Sequence, residues 1–139
     1  SLKAMDNKQQ ILCAWRRKYV RLTPEEHVRQ TILHALESNY NYPHGLIGVE
    51  VPIEVAGLKK RCDAIVYSQQ MQPLMLIEFK AESVPLTQQV FDQAAIYNRH
   101  LHVPYLMLSN GKDTIIAEVK ETTYQFLNHI PNYSDLQIQ

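Results

Sequence analysis

Leu74-Met75-Leu76-Ile77-Glu78-Phe79-Lys80 is the stretch on which the reading of this chain turns. It is apolar on both faces until its end, the pattern of a strand buried in the middle of a sheet, and it finishes in charge. Immediately before it, Ser68-Gln69-Gln70-Met71-Gln72-Pro73 reads as a polar turn, and Lys59 to Tyr67 as the strand leading into that turn. After it, Thr87 to about Arg99 has helical spacing, with Val90, Phe91, Ala94 and Ala95 apolar, and Pro104-Tyr105-Leu106-Met107-Leu108 is another buried strand. A strand, helix, strand unit of this kind crosses over right-handed, which predicts that its two strands run parallel.

Further out, Thr23-Pro24-Glu25-Glu26 is a helix start: Thr23 suits the N-cap, Pro24 the first helical position, and Glu26 completes a capping box. The helix is predicted to run to about Ser38, with Val28, Ile32, Ala35 and Leu36 as its sheet-facing stripe. From Leu46 the pattern becomes β, with Ile47-Gly48-Val49-Glu50-Val51 and Ile53-Glu54-Val55 split by Pro52, which points to an edge strand. Asn110-Gly111 turns the chain into Thr114 to Val119, paired with Tyr124 to Leu127. The order is α, β, β, β, α, β, β, an α/β class without internal repeats.

With 139 residues, 45% of them hydrophobic and 20% charged, one compact domain over 1–139 is expected, in which 1–15 form a helical or disordered extension. Fourteen basic and fourteen acidic residues leave no net charge, so there is no global positive field for nucleic acid. Positive charge is nonetheless clustered at Arg16, Arg17, Lys18 and Arg21, and again at Lys59, Lys60 and Arg61. Each cluster reads either as a solvated surface or as a phosphate-binding patch. Cys13 and Cys62 lack the spacing of a disulfide scaffold or a zinc site, and no apolar run nears the roughly 20 residues that span a bilayer. A cytoplasmic, non-membrane protein is the expectation. The six histidines show no metal-ligand spacing, and the chain has no G-x-x-x-x-G-K-[ST] loop, so ATP-driven translocation does not reside in these residues.

Chemistry gathers around the charged strand ends. Period-two alternation groups Arg61, Asp63 and Ile65 on one face of their strand, and Glu78 with Lys80 on one face of the next. A hairpin through Ser68 to Pro73 lets Asp63 and Glu78, fifteen residues apart, converge at one end of the sheet. Two carboxylates suit Mg²⁺, a hard cation that is completed by water and substrate phosphate, and a neighbouring ammonium can hold an attacking water. Gln93 and Tyr97, four apart on the second helix, lie on one face and can point at the same strand ends. The spacing of Glu50 and Glu54 is that of charges guarding an edge strand, with Glu50 an outside candidate for the site.

Asp63, then Glu78-Phe79-Lys80, then Gln93-x-x-x-Tyr97 resembles the PD-(D/E)XK nuclease superfamily. The stretch Arg17-Lys18-Tyr19-Val20-Arg21-Leu22-Thr23-Pro24-Glu25-Glu26-His27-Val28-Arg29-Gln30 is similar to the opening of the type I restriction enzyme R-subunit N-terminal family, and Tyr105-Leu106-Met107-Leu108-Ser109-Asn110-Gly111 to its later strand. The resemblance covers roughly 16–131. It implies a restriction-endonuclease-like core, with a mixed central sheet flanked by helices, and Mg²⁺-dependent hydrolysis of DNA phosphodiester bonds, Mn²⁺ substituting. It further implies that Asp63, Glu78 and the Phe79 carbonyl hold the metal, that Lys80 orients the water, and that Gln93 and Tyr97 position phosphate or metal ligands. The family also draws a glutamate from the first helix, here Glu25, since Glu26 is accounted for as a cap. Cys62 stands where the superfamily's name has proline, a variable position. Implied partners are DNA and motor, specificity or methylation subunits, and a symmetric dimer is compatible with paired cuts. Two alternatives stay open: a nuclease-fold binding or assembly module inactive without its partner subunits, and a nuclease for RNA or for branched or single-stranded DNA.

Overall fold

The computed structural model describes residues 9–136. Its first element is a two-stranded antiparallel ribbon, β1 (Gln10–Cys13) and β2 (Lys18–Arg21), where a helical or disordered extension was expected. The correction has a local cause: Ile11 and Cys13 alternate with exposed Gln10 and Leu12, so that Cys13 is wholly buried, and Arg17 takes the left-handed conformation (φ 54°) that reverses the chain. Residues 1–8, the rest of that extension, lie outside the described residues.

Helix α1 (Pro24–Tyr40) starts as expected, the Thr23 hydroxyl accepting from the Glu26 amide at 3.0 Å. It runs two residues beyond Ser38 because Tyr40 still packs against the core, and it stops at left-handed Asn41. A 3-10 turn at His44–Leu46 leads into β3 (Ile47–Val55), then β4 (Leu58–Tyr67), β5 (Pro73–Phe79), helix α2 (Gln88–Leu101), β6 (Tyr105–Ser109), β7 (Thr114–Val119) and β8 (Tyr124–Phe126).

Strands β3 to β8 form one six-stranded sheet in sequence order. The β5–β6 pair spanned by α2 is parallel and the other four neighbouring pairs are antiparallel, which gives the expected mixed sheet flanked by helices. Along β5, Met75, Ile77 and Phe79 pack beneath α1 with Val28, Leu33 and Leu36, while Leu76 packs beneath α2 with Phe91, Ala94 and Ala95. That double burial is why the strand is apolar on both faces.

Edge strand β3 is continuous through Pro52, which sits opposite Arg61, rather than split there. An outer strand has amides that no ladder needs, so proline is tolerated. Its real irregularity is two residues earlier. Glu50 is left-handed (φ 57°), and pairing with β4 skips it, Val49 opposing Ala64 and Val51 opposing Cys62. Residues two apart on a strand should share a face. Here Val49 and Ala64 pack under α1, whereas Val51 and Cys62 pack under α2, so the β3–β4 ribbon turns over between them. Beyond the turn-over the ribbon closes at Ala56-Gly57, both with positive φ. Among the described residues no helix is long and apolar enough to cross a membrane.

Candidate active site

Asp63 lies at the turn-over of β4. Its Oδ2 accepts a hydrogen bond from the Phe79 amide at 2.8 Å, which ties it to the end of β5. Since Ala64 pairs with Ile77, Asp63 and Glu78 take the next positions outward on the two strands, the convergence that the spacing predicted. Burial pushes the Asp63 carboxyl up to about 6; the Phe79 amide opposes the shift, the charges of Glu78 and Glu25 add to it, and Arg29 opposes. Glu25 is therefore within electrostatic reach of Asp63, although it is exposed at the start of α1 rather than on the sheet-facing stripe.

Lys80 follows β5, its amide donating to the Ser109 carbonyl at 2.9 Å, and its ammonium is 3.9 Å from Glu78 Oε2. The mutual placement of Asp63, Glu78 and Lys80 thus agrees with the sequence reading. Tyr97 on α2 is half-buried and reaches the same place. Gln93, one turn earlier, is exposed, and its side chain makes no hydrogen bond among the described residues.

Two residues have roles that the sequence did not disclose. Lys60 places its ammonium 3.1 Å from Glu78 Oε1 and 3.9 Å from the centre of the Tyr97 ring. Simple alternation puts Lys60 on the face opposite Asp63 and Glu78; the turn-over at Glu50 brings it round. Nothing in Val49-Glu50-Val51 announces a left-handed residue, as a glycine or asparagine would have.

Glu26 was read as the reciprocal half of a capping box, and that reading is corrected. Its amide is capped, but its carboxylate is buried and accepts from Arg16 Nη2 at 2.7 Å, Arg29 Nε at 3.1 Å, Gln30 Nε2 at 3.0 Å and Arg29 Nη2. Burial alone would raise this carboxyl; the hydrogen bonds from Arg29, Arg16 and Gln30 overcome it and hold the group below the usual carboxylate range. Arg29 then reaches onward, donating to the Asp63 carbonyl at 3.3 Å and to Glu50 Oε1 at 2.9 Å. The backbone that presents Asp63 and the strained Glu50 are both braced from α1, and the Glu50 carboxylate is engaged by Arg29.

A cleft of about 580 Å³ opens beside this brace, lined by Arg16, Arg21, Glu25, Arg29, Glu50 and Ala81. A larger hollow of about 680 Å³ lies at the C-terminal end of α2, between Asn98, His102 and Lys120, and is lined by none of the candidate residues. Among the described residues no three acidic, histidine or cysteine side chains converge as a ready-made metal cage. What the strand ends offer is a pair of carboxylates attended by two ammonium groups.

The sequence of residues 24–131 matches the family model for the type I restriction enzyme R protein N terminus (HSDR_N). The chain belongs to this family. The match takes in every candidate residue of this R-protein N-terminal region and leaves out the β1–β2 ribbon. A fragment structure assigned to the HsdR subunit of a type I restriction enzyme from Vibrio vulnificus YJ016 shares the fold, with a TM-score of 0.63 and 21% identity over 83% of this chain. The R-protein region described here corresponds to 24% of that longer chain. No curated protein matches the sequence.

Proposed function

We propose that this region is the nuclease part of a type I restriction R protein, hydrolysing DNA phosphodiester bonds with Mg²⁺ in the PD-(D/E)XK manner. The observation that carries the reading is the meeting of Asp63 and Glu78 at adjoining strand ends, with the Lys80 ammonium 3.9 Å from Glu78. The donor set fits the ion: Mg²⁺ keeps several waters and commonly takes only one or two carboxylates, so a two-carboxylate site without a third acidic ligand is sufficient. Asp63, Glu78 and the Phe79 carbonyl would hold it, with Glu25 as a further candidate, and Mn²⁺ would substitute. When bound, the metal lowers the pKa of a coordinated water and steadies charge on the phosphate. The chain's own part is positional. The Phe79 amide fixes the Asp63 carboxylate, Arg29 braces the backbone behind it, Lys80 holds the attacking water, and Gln93 and Tyr97 flank the incoming phosphate.

The zero net charge favours a second reading, in which the region cuts only when motor and specificity subunits deliver the DNA. Cleavage of supercoiled plasmid and of labelled single strands with Mg²⁺ or Mn²⁺, wild type beside Asp63→Ala and Lys80→Ala, separates the two. Cutting by the wild type that both variants lose supports a self-sufficient nuclease. A folded, metal-binding wild type that leaves both DNAs intact supports the partner-dependent module.

A further inference from the structure

We infer that Lys60 is a positioning residue for this site, an internal counter-ion shared between Glu78 and the Tyr97 ring until a divalent cation displaces it from Glu78 and leaves it to the ring. The inference rests on the metal-site reading of Asp63 and Glu78 and adds to it a residue outside the motif. Lysine side chains ordinarily carry their charge out to water. The Lys60 side chain is only 24% exposed, and its ammonium is held from two sides, by Glu78 Oε1 at 3.1 Å and by the Tyr97 ring at 3.9 Å. With Lys80 3.9 Å from the other oxygen, both oxygens of Glu78 face an ammonium.

A magnesium ion sits about 2.0–2.1 Å from a carboxylate oxygen, so an ion taken up on Oε1 must compete with the ammonium already there. Either Lys60 leaves that oxygen or two like charges are forced together. The aromatic face, which the ammonium already touches, keeps hold of it as it leaves Glu78 and can take it closer once the carboxylate no longer shares it, because the ring's quadrupole attracts a cation over its centre. Lys60 also has the freedom to make the move. It lies beyond the Glu50 turn-over, in the part of β4 paired with edge strand β3, where Ile53 is its partner, while the ladder with β5 runs from Ala64 to Tyr67. Tyr97, on this account, acts on the site through Lys60.

The test is calorimetric titration of Mn²⁺ into wild type, Lys60→Met, Tyr97→Leu and the double variant at one fixed pH, without DNA, so that the readout is binding rather than cleavage. Lys60→Met should bind Mn²⁺ about three to ten times more tightly, as expected when about 1 kcal/mol of competing ion pairing is removed. Tyr97→Leu, which leaves β4 untouched, should bind more weakly than wild type, and that deficit should vanish in the double variant. A purely structural tyrosine would produce the same deficit with or without Lys60. Wild-type binding with Lys60→Met equal to it or weaker overturns the inference and leaves the nuclease reading standing. Should Lys60→Met fail to fold, a Tyr97→Leu affinity equal to wild type overturns it. Absence of Mn²⁺ binding in every folded protein overturns the metal-site reading, and this inference with it.

Discussion

Asp63 and Phe79 are joined across β4 and β5 by a carboxylate-to-amide hydrogen bond of 2.8 Å, at a point where burial and the charges of Glu78 and Glu25 hold the acid's pKa near 6 against a usual 3.8. The folded protein therefore keeps a proton that the unfolded chain gives up. The stability this contributes is complete below about pH 4 and is lost as the pH rises through about 6. Asn at position 63 can still accept from Phe79 and carries no charge to desolvate. In chelator, Asp63→Asn should be more stable than wild type at pH 8 by on the order of 1–2 kcal/mol, with the difference closing near pH 4. Urea unfolding of both proteins at the two pH values checks this. A gap that widens toward low pH would contradict it.

Removal of the charge at the centre of the α1 brace should be costly. Glu26→Gln takes from Arg16 the anion it pairs with and leaves buried Arg29 with Glu50 as its remaining carboxylate. A loss of about 3–5 kcal/mol in unfolding free energy is expected, the usual consequence of stranding a buried ionic partner. A loss below about 1 kcal/mol would mean that water reaches the arginines and that the brace is weaker than its geometry.

Metal binding and chemistry should separate by residue. The backbone at Lys80 is secured through its amide to Ser109, so on the proposed function Lys80→Ala should fold, show the same Mn²⁺-induced rise in melting temperature that is expected of the wild type, and cut at least about 100-fold more slowly. Glu78→Ala should lose the metal-induced rise and the cutting together. Paired thermal melts and cleavage assays decide it. A Lys80→Ala protein that cuts at the wild-type rate would remove lysine from the reaction.

The ribbon that carries Lys60 can be stiffened at its tip. Ala56 and Gly57 both have positive φ, the backbone of a two-residue turn for which Asn-Gly is favoured. Ala56→Asn should stabilise the protein by about 0.5–1 kcal/mol, since asparagine escapes part of the left-handed penalty of roughly 1–2 kcal/mol that alanine bears. A lower melting temperature in the variant would contradict the turn geometry.

The parts that could be read from the sequence are those governed by short-range rules. The apolar run ending at Phe79, the Thr23-Pro24 helix start and the polar turn before Pro73 placed the central strands, the first helix and the β4–β5 hairpin, and with them the meeting of Asp63 and Glu78. Features set by a backbone excursion or by long-range charge were hidden. Lys60 was out of sight because alternation is counted on an unbroken strand, and Glu50 breaks the count without a glycine to mark the place. Glu26 was misjudged because a glutamate three residues after a threonine satisfies a local rule. Only the folded chain brings Arg16 in from the ribbon to share that carboxylate with Arg29, one turn along the same helix.

The link from Arg16 to Glu26 has a further consequence. The match to the family model begins at residue 24, yet Arg16 lies eight positions earlier, beside wholly buried Cys13 on the ribbon. The helix start within the matched span is therefore held in part by a residue outside it. The amides of the first turn of α1 and those of β1 and β2 will open to hydrogen exchange together, as one unit. A protease that nicks the ribbon will loosen the helix that steadies Asp63 without touching any residue of the site.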